Sequence, residues 1–450
     1  MNPMTIKEIG AAVGFSTADQ TLIHTIETDS RTISQGSLFV ALRGETFDGH
    51  KYVASALEKG AAYALVDHGD ANDSCLIFCK DTEQGFLDIA GHYRDKFAVK
   101  IVGVTGSVGK TTTKEMIASV LESRFATLKN EGNLNNRVGM PKTLFRLDES
   151  HEAAVIEMGM NQFGEISDLT RRAKPDLAVI TNIGVQHIEF LGSREGILKA
   201  KMEIREGMKA GSALILCGDD DLLGSFEDEN FRIIRYGIDN PSCSIRAEEV
   251  CENNGETTFV LCAQGKKMKA RIPTFGRHNV LNALAAYAVG REFGMEDEAI
   301  IAALNNYIPS GMRQRVVEHN GFTVVEDCYN CGPDSLKAAT AAFATMNCSG
   351  KKVLVLGDML ELGDYANQLH YDCGKFAAEQ GITAVYCCGT LSEHTYQGVV
   401  ENGGEAHHFA TKEEMADALL PAIQAGDILW FKASHGVHLE DIIKRIYEEC

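Results

Sequence analysis

Short apolar runs that end in glycine or polar residues recur along much of this chain. Residues 99–104 run into Thr105-Gly106, 153–156 into Glu157-Met158-Gly159, 177–181 into Asn182-Ile183-Gly184, and 213–217 into Gly218-Asp219-Asp220. Apolar runs of strand length, bounded by turn residues, predict strands buried on both faces, as in a parallel sheet. Between them apolar residues recur at helical spacing. Met116, Ile117, Val120 and Leu121 share one face, and 164–172 and 194–208 also read as helices. Strands that alternate with helices and end in polar residues predict a doubly wound sheet with ligands at its carboxyl edge.

The flanking regions repeat the theme. Residues 38–42 and 61–66 read as strands around a helix at 52–60 that carries Val53, Ala56 and Leu57 on one side. Residues 231–275 alternate as strands do. A helix over 280–293 follows Gly276-Arg277-His278-Asn279, and Asn279 and Asn282 fall on one side of it. Beyond Pro309-Ser310, strands at 322–325, 352–356, 383–387 and 428–431 flank a helix at 334–346. No G-x-G-x-x-G follows the first of these strands, which argues against a dinucleotide site. The predicted fold class is α/β in three domains, 1–98, 99–310 and 311–450. The central one is a P-loop-type, mostly parallel sheet, and the C-terminal one a Rossmann-like sheet.

Length fits this plan, because 450 residues exceed what one core serves. The charge excludes one class of partner. With 43 basic and 63 acidic residues the chain carries −20, which argues against nucleic-acid binding through phosphate neutralisation. No apolar run approaches a membrane span, and Met1 to Glu8 lacks the pattern of a signal peptide. Thirteen cysteines, an odd number without a secretion signal, predict reduced thiols and a cytoplasmic location. Cys328-Tyr329-Asn330-Cys331 has CxxC spacing, but no second pair exists to complete a zinc site.

The clearest chemical signal is Gly103-Val104-Thr105-Gly106-Ser107-Val108-Gly109-Lys110-Thr111-Thr112-Thr113, placed where a strand turns into a helix. A glycine-rich turn there closes backbone N–H groups around phosphates, and the helix N-terminus adds positive potential. Lys110 can reach β/γ-phosphates and the Thr111 hydroxyl can ligate Mg²⁺. The general pattern wants glycine where Val104 stands, and Gly103 lies one residue early. What remains, Gly106-x-x-Gly109-Lys110-Thr111 behind a strand, predicts nucleoside triphosphate binding, with Gly106, Ser107, Val108, Gly109, Lys110, Thr111 and Thr112 around the phosphates.

Glu157 and His187 each follow a strand, and Lys201 lies on a helix with Lys199 and Glu203. A carboxylate and an imidazole near a P-loop threonine suit a Mg²⁺–ATP site. Each has a plainer reading: a glutamate after a strand often caps a helix, and a single histidine is often structural. Spacing leaves both open. It does not decide which lysine faces inward either, since Lys199 and Lys201 sit about 200° apart around a helix.

Along its whole length the chain resembles the Mur ligase family of cell-wall enzymes. The resemblance rests on Thr105 to Thr111, Asn135-Asn136, Glu157-Met158-Gly159, Thr181-Asn182-Ile183-Gly184 with His187, Gly276-Arg277-His278-Asn279 with Asn282-Ala283, and Gly311-Met312-Arg313. Two further stretches, Leu356-Gly357-Asp358-Met359-Leu360-Glu361-Leu362-Gly363 and Asp327-Cys328-Tyr329-Asn330, are similar to the branch that adds D-alanyl-D-alanine. The resemblance implies ATP-dependent joining of D-alanyl-D-alanine to UDP-N-acetylmuramoyl-tripeptide through an acyl phosphate. It implies a first domain that holds the UDP end near Ser30, Arg31, Asp48, Gly49 and His50, and a third that presents the amine and closes over the site. By position, Thr111 and Glu157 would hold one Mg²⁺ and His187 a second. Lys201 matches a lysine that the family carbamylates with CO₂, and Lys110, Glu157, His187 and Lys201 form the expected catalytic set. Asn279 and Asn282 match adenine-side residues. Arg313 and Asp327 match groups that reach the nucleotide. Asn135, Asn136, Tyr329 and Asn330 are expected at the substrate. A monomer is expected.

Two departures stand out. The family's Lys-Gly-Ser-Arg-type end motif reads Lys432-Ala433-Ser434-His435. An imidazole lacks the bidentate grip of a guanidinium, so no role transfers to His435. Cys331 stands where alanine is expected. The competing readings are another acid–amino-acid ligase of the superfamily (a tripeptide synthetase or a folylpolyglutamate synthetase), a P-loop switch or kinase, and a non-catalytic scaffold. The kinase reading leaves Lys201 and the third module unexplained. The scaffold reading leaves Lys110, Glu157, His187 and Lys201 unexplained. The third-position diamino acid of the peptide is not written in this chain.

Overall fold

The computed structural model describes residues 1–44, 46–253, 255–309 and 313–450, the side chain of Asn253 excepted. The expected boundary at 310/311 and the Gly311-Met312 pair of the family motif lie outside the described residues. The chain divides into two compact units. One comprises Met1–Thr105, Arg124–Ala178 and Met202–Ser212; the other comprises Gly106–Ser123, Val179–Lys201 and Ala213–Cys450.

In the first unit, four short parallel strands lie in chain order: Ile26–Glu27, Leu38–Val40, Tyr63–Val66 and Leu76–Phe78. Phe39, Ala41, Ala64 and Val66 pack with Ala56 and Ala61 from the helix side. The expected helix at 52–60 is a 3-10 turn, Gly49–Tyr52, followed by an α-helix, Val53–Glu58. Asp48 opens it by accepting from the His50 N–H. A longer helix, Thr82–Arg94, is capped by Asp81 and buries Phe86, Leu87, Ile89, Ala90 and Tyr93. Tyr93 Oη donates to the Leu147 carbonyl at 2.6 Å, which gives the buried hydroxyl its partner.

The same unit holds three parallel strands, Lys100–Thr105, Ala153–Glu157 and Thr127–Lys129, with the second between the others. The first two are buried on both faces from Ile101 and Ala153 onward, as the apolar runs require, whereas the edge strand Thr127–Lys129 buries only Leu128. Gly103 is part of this strand rather than of the loop. A Cβ there would stand 3.1 Å from Ile204 Cδ1 and 3.4 Å from Pro175, so close packing accounts for it.

In the second unit, Ala213–Cys217, Arg232–Gly237 and Ile245–Asn253 are parallel, and Glu256–Ala263 and Lys266–Ile272 continue as antiparallel hairpin strands. This accounts for the alternation over 231–275. Helix Lys110–Glu122 packs against Arg277–Glu292, whose buried residues include Ala283, Ala285, Ala286, Ala288 and Gly290. Small residues let the two backbones approach. The expected helix 194–208 is α-helical over Arg194–Met202 and 3-10 over Glu203–Gly207.

The C-terminal sheet has six strands in the order Arg315–His319, Phe322–Glu326, Ile428–Lys432, Lys352–Gly357, Ala384–Cys388, Ala406–Phe409. All are parallel except the first, an edge strand. Two cores follow from strict alternation. Val325, Leu354, Leu356 and Trp430 face one layer, and Val324, Val353, Val355, Leu429 and Phe431 the other. Helices Pro333–Thr345 and Ala366–Glu379 cover the first face; Lys412–Leu419 and Glu440–Glu449 cover the second. Trp430 is fully buried, with Phe275 and Phe343 at ring distances of 5.2 and 5.4 Å. Truncating such an aromatic costs about 3–5 kcal/mol.

Candidate active site

The loop from Gly106 to Gly109 leads into helix Lys110–Glu122. Gly106 has φ 147°, and a Cβ on it would fall 1.8 Å from Thr181 Oγ1. Gly109 is the N-cap at φ 84°, and a Cβ there would lie 2.9 Å from Asn282 Oδ1. Both positions therefore need glycine, for conformation and for space. Asn182 locks the loop: its carbonyl accepts from Ser107 N, its Oδ1 accepts from Val108 N, and its Nδ2 donates to Val108 O. Thr181 Oγ1 also donates to Val108 O, and Ser107 Oγ accepts from Gly184 N. The N-cap, Gly109, has no side chain to cap the first turn, so that end keeps the polarity that favours an anion. Thr111 and Thr112 sit half-buried in that turn.

Two ammonium-bearing side chains converge on this loop. Lys110 Nζ donates to the Gly106 and Ser107 carbonyls at 2.9 and 3.1 Å. Lys201 Nζ donates to the same Gly106 carbonyl at 3.0 Å and is 1% exposed. Burial, aided by the charge of Lys110, pulls Lys201 well below an ordinary lysine pKa. Lys199 is exposed, so Lys201 is the inward-facing lysine of the pair. Glu203 belongs elsewhere: its carboxylate caps helix Glu165–Ala173 through Gly164 N and Ser167 N.

His187 is half-buried at the N-cap of helix Ile188–Leu191, with φ 64°. Its Nδ1 stands 2.9 Å from Glu361 Oε2, close enough for an ion pair but off the line of a hydrogen bond. Burial lowers its pKa, Glu361 opposes that, and Lys110 and Lys201 add to the lowering. Glu361 is itself left-handed, at φ 63°, and next to it a Cβ on Gly363 would meet Glu189 at 3.0 Å. Two non-glycine residues in this conformation, each costing about 1–2 kcal/mol, face one another. Glu361 lies in the stretch Leu356 to Gly363, where spacing alone carries no role for it.

Glu157 lies at the end of its strand, 2% exposed, its Cα in register with Val104. Asn130 frames its backbone, accepting from Glu157 N and donating to Glu157 O. Asn135 Nδ2 donates to Oε1 at 2.7 Å. Oε2 is buried and has no hydrogen-bond partner among the described residues. A buried carboxylate oxygen left in that state is costly unless a cation meets it. Asn136 is used locally, with its Oδ1 accepting from Gly139 N and Val138 N.

Asn279 and Asn282 are buried and structurally engaged. Asn282 accepts from Thr113 Oγ1 and donates to Asn279 Oδ1. Asn279 Nδ2 reaches Thr274 Oγ1, the Phe275 carbonyl and Gln314 Oε1. Gln314 also contacts His278, whose imidazole burial pushes down to about 4. No motif pointed to Gln314. Asp327 pairs with buried Lys432 at 2.8 Å and accepts from Trp430 Nε1. The Arg313 guanidinium lies 4.4 Å over the Tyr329 ring, Tyr329 stacks on His435, and Asn330 is exposed. Asp334 accepts from Val185 N beside Gly184, another contact that spacing did not reveal.

In the first unit, Ser30 O accepts from Lys59 Nζ, and Arg31 is exposed and paired with Asp29. Gly49 is buried, where a Cβ would press on the Leu42 carbonyl at 2.6 Å. Asp48 and His50 are tied together, Oδ1 to Nδ1 at 2.8 Å.

Three family models match in succession: the Mur ligase family catalytic domain over 22–84, the Mur ligase middle domain over 104–290, and the Mur ligase glutamate ligase domain over 312–435. The UDP-N-acetylmuramoyl-tripeptide–D-alanyl-D-alanine ligase of Bacillus subtilis (strain 168) is 38% identical over 454 residues, covering 99% of this chain and 98% of that protein. A crystal structure of MurF from Acinetobacter baumannii superposes with TM-score 0.93 at 30% identity over the full length of both chains. MurF ligase of Thermotoga maritima, in complex with ADP, gives TM-score 0.86 at 27% identity, covering 94% of this chain and 97% of that one. With a glycine-locked P-loop, a buried lysine on its carbonyl and this likeness from end to end, the chain belongs to the Mur ligase family.

Proposed function

We propose that this protein is the ATP-dependent ligase that joins D-alanyl-D-alanine to UDP-N-acetylmuramoyl-tripeptide, forming ADP and phosphate in peptidoglycan precursor synthesis. One observation carries the reading furthest. The likeness to ligases of that name runs through all three family domains, so the amine-handling C-terminal module is included along with the P-loop. The proposed domains are 1–98, 99–310 and 311–450.

Direct displacement of a carboxylate oxygen by an amine fails near neutral pH because oxide is a poor leaving group. The tripeptide carboxylate therefore attacks the γ-phosphorus of ATP; an O–P bond forms, the β–γ bridge breaks, and ADP leaves. The amine of D-alanyl-D-alanine then adds to the acyl phosphate carbonyl. The tetrahedral species loses a proton and expels phosphate. Lys110 is held at the loop carbonyls, where it can turn to the transferring phosphoryl group and offset its charge. The Gly106–Gly109 backbone and the uncapped helix end receive the phosphates.

Mg²⁺ fits the residues present, since Glu157 keeps a buried carboxylate oxygen without a hydrogen-bond partner among the described residues. We assign Thr111 and Glu157 to one ion and His187 with Lys201 to a second; such ions supply charge neutralisation on the phosphates. Lys201 serves as a carbamate in this scheme. Burial and Lys110 favour loss of the ammonium proton; the neutral amine would then add to CO₂, an N–C bond forming and a second proton leaving, so that a cation becomes an anionic ligand.

Asn282 is committed to Thr113 and Asn279 to Thr274, Phe275 and Gln314, so the proposed contribution of Asn282 to the adenine side runs through Gly109, which it underlies, and that of Asn279 through Asn282. Arg313 and Asp327 are proposed at the nucleotide. Tyr329, Asn330, Asn135 and Asn136 are proposed at the peptide ends, and Ser30, Arg31, Asp48, Gly49 and His50 at the UDP end. A cytoplasmic monomer serving cell-wall growth, shape and division completes the reading. Phosphate release is the test, with UDP-muramoyl-tripeptide and one candidate amine at a time. D-alanyl-D-alanine is expected to trigger release far above glutamate or a diamino acid. Equal release without any amine would overturn the ligase reading.

A further inference from the structure

His435, His438 and Glu440 lie between the last strand, Ile428–Lys432, and the last helix, Glu440–Glu449. The ligation scheme uses none of them. A 3-10 turn, His435–Val437, and a left-handed His438 at φ 57° fold this stretch back on itself. One ligand-capable atom of each of the three residues then lies within 4.8 Å of the other two. His438 Nδ1 is 2.9 Å from Glu440 Oε1, and the two imidazole centroids are 5.4 Å apart. The other carboxylate oxygen, Glu440 Oε2, is buried with no hydrogen-bond partner among the described residues. Both histidine side chains are exposed to solvent, so an ion can reach them.

A second cluster shows what an occupied arrangement of the same kind looks like. His50, Asp67 and His68 also converge. There His50 Nδ1 meets Asp48, and His50 Nε2 accepts from Asp67 N. The Arg43 guanidinium spans Asp67 and His68 at 2.9 and 2.8 Å. A cation of the chain's own already sits there. At His435 the family's guanidinium is missing, and a carboxylate oxygen is left over.

We propose that His435, His438 and Glu440 bind one late first-row transition dication, such as Zn²⁺ or Ni²⁺, with water in the remaining positions. Two imidazoles and a carboxylate are its usual donors. Ligands at about 2.0–2.1 Å from one ion stand about 3.3 Å apart, so small rotamer shifts of two exposed histidines close the gap. Two imidazoles in one donor set suit these ions far better than Mg²⁺, so the site stays distinct from the nucleotide's metal. A filled site ties the turn after Ser434 to the final helix.

The test uses the full-length protein in saturating Mg²⁺. Ni²⁺ is titrated calorimetrically and Co²⁺ by visible absorption. Wild type is compared with His435→Gln/His438→Gln, His438→Gln, Glu440→Gln and a control, His407→Gln. Wild type is expected to bind one equivalent more than the double variant. Glu440→Gln is expected to weaken that equivalent at least about tenfold, and the control to keep it. The Co²⁺ bands lost in the double variant are expected to lack thiolate-to-cobalt charge transfer, which separates this site from the cysteines. Equal stoichiometry and affinity in wild type and His438→Gln, with matching circular dichroism, would overturn the proposal. So would a lost equivalent that carries the thiolate band.

Discussion

Two sets of loops follow parallel strands in this molecule, and they present different groups. The Gly106–Gly109 loop presents backbone carbonyls to two lysines, Lys110 and Lys201, with its amides fixed by Asn182. The C-terminal sheet instead ends in carboxylates. Asp327 is held by Lys432, Asp358 accepts from Ser392 N, and Glu361 stands against His187. Architecture fixes where ligands are met, and the side chains at the strand ends fix which sign is received. A phosphoryl donor suits the first set; the carboxylates of the second are each already engaged.

The largest expected effect breaks the cationic side. Lys110→Ala is expected to abolish turnover in a folded protein, a loss of about 3 kcal/mol or more in transition-state stabilisation. Steady-state phosphate release with circular dichroism checks it, and near-normal turnover in a folded variant would remove the P-loop assignment. Lys201→Ala is expected to cost about a hundredfold, roughly 2.7 kcal/mol, with partial rescue by acetate. Lys199→Ala, on the exposed side of the same helix, is expected to be mild. Wild-type turnover in Lys201→Ala would show that the buried amine only fills space.

These two lysines also mark how far the sequence carries. The strand, the glycines and Lys110 are legible because each is dictated locally: an apolar run, two turns that need glycine, and a helix start. The inward choice of Lys201 over Lys199 came from family resemblance, since helical spacing could not decide it; burial bears it out. Helix Thr82–Arg94 escaped notice because it buries residues around most of its circumference, which erases a clean period. Its Asp81 cap was readable. Strands as short as Ile26–Glu27 carry too few positions to show alternation. The meeting of His187 with Glu361, and of Asn279 with Gln314, depends on tertiary folding and leaves no spacing signal.

A smaller effect should break the anionic side. Lys432 and Asp327 are both buried and paired. Asp327→Asn keeps the volume but leaves the ammonium without a counter-charge. Losing a charged hydrogen-bond partner of this kind costs about 2 kcal/mol. Urea denaturation is expected to show a lower midpoint with an unchanged slope. A midpoint equal to wild type would mean that Lys432 finds another partner.

The smallest expected effect lies where the two sets touch. Glu361 reaches His187 from a left-handed backbone, and the His187 imidazole holds its carboxyl below the ordinary range. The pair orients the ring, which leaves Nε2 to face away from Glu361. Glu361→Gln retains length and shape but removes the charge that opposes Lys110 and Lys201 at this imidazole. Turnover is expected to fall only severalfold, about 1 kcal/mol, because the ring keeps its burial. The sharper readout is Mn²⁺ affinity in the presence of ADP, measured by electron paramagnetic resonance, where a severalfold loss is expected in step with turnover. Lower turnover with unaltered Mn²⁺ affinity would mean that Glu361 acts on the amine and not through His187.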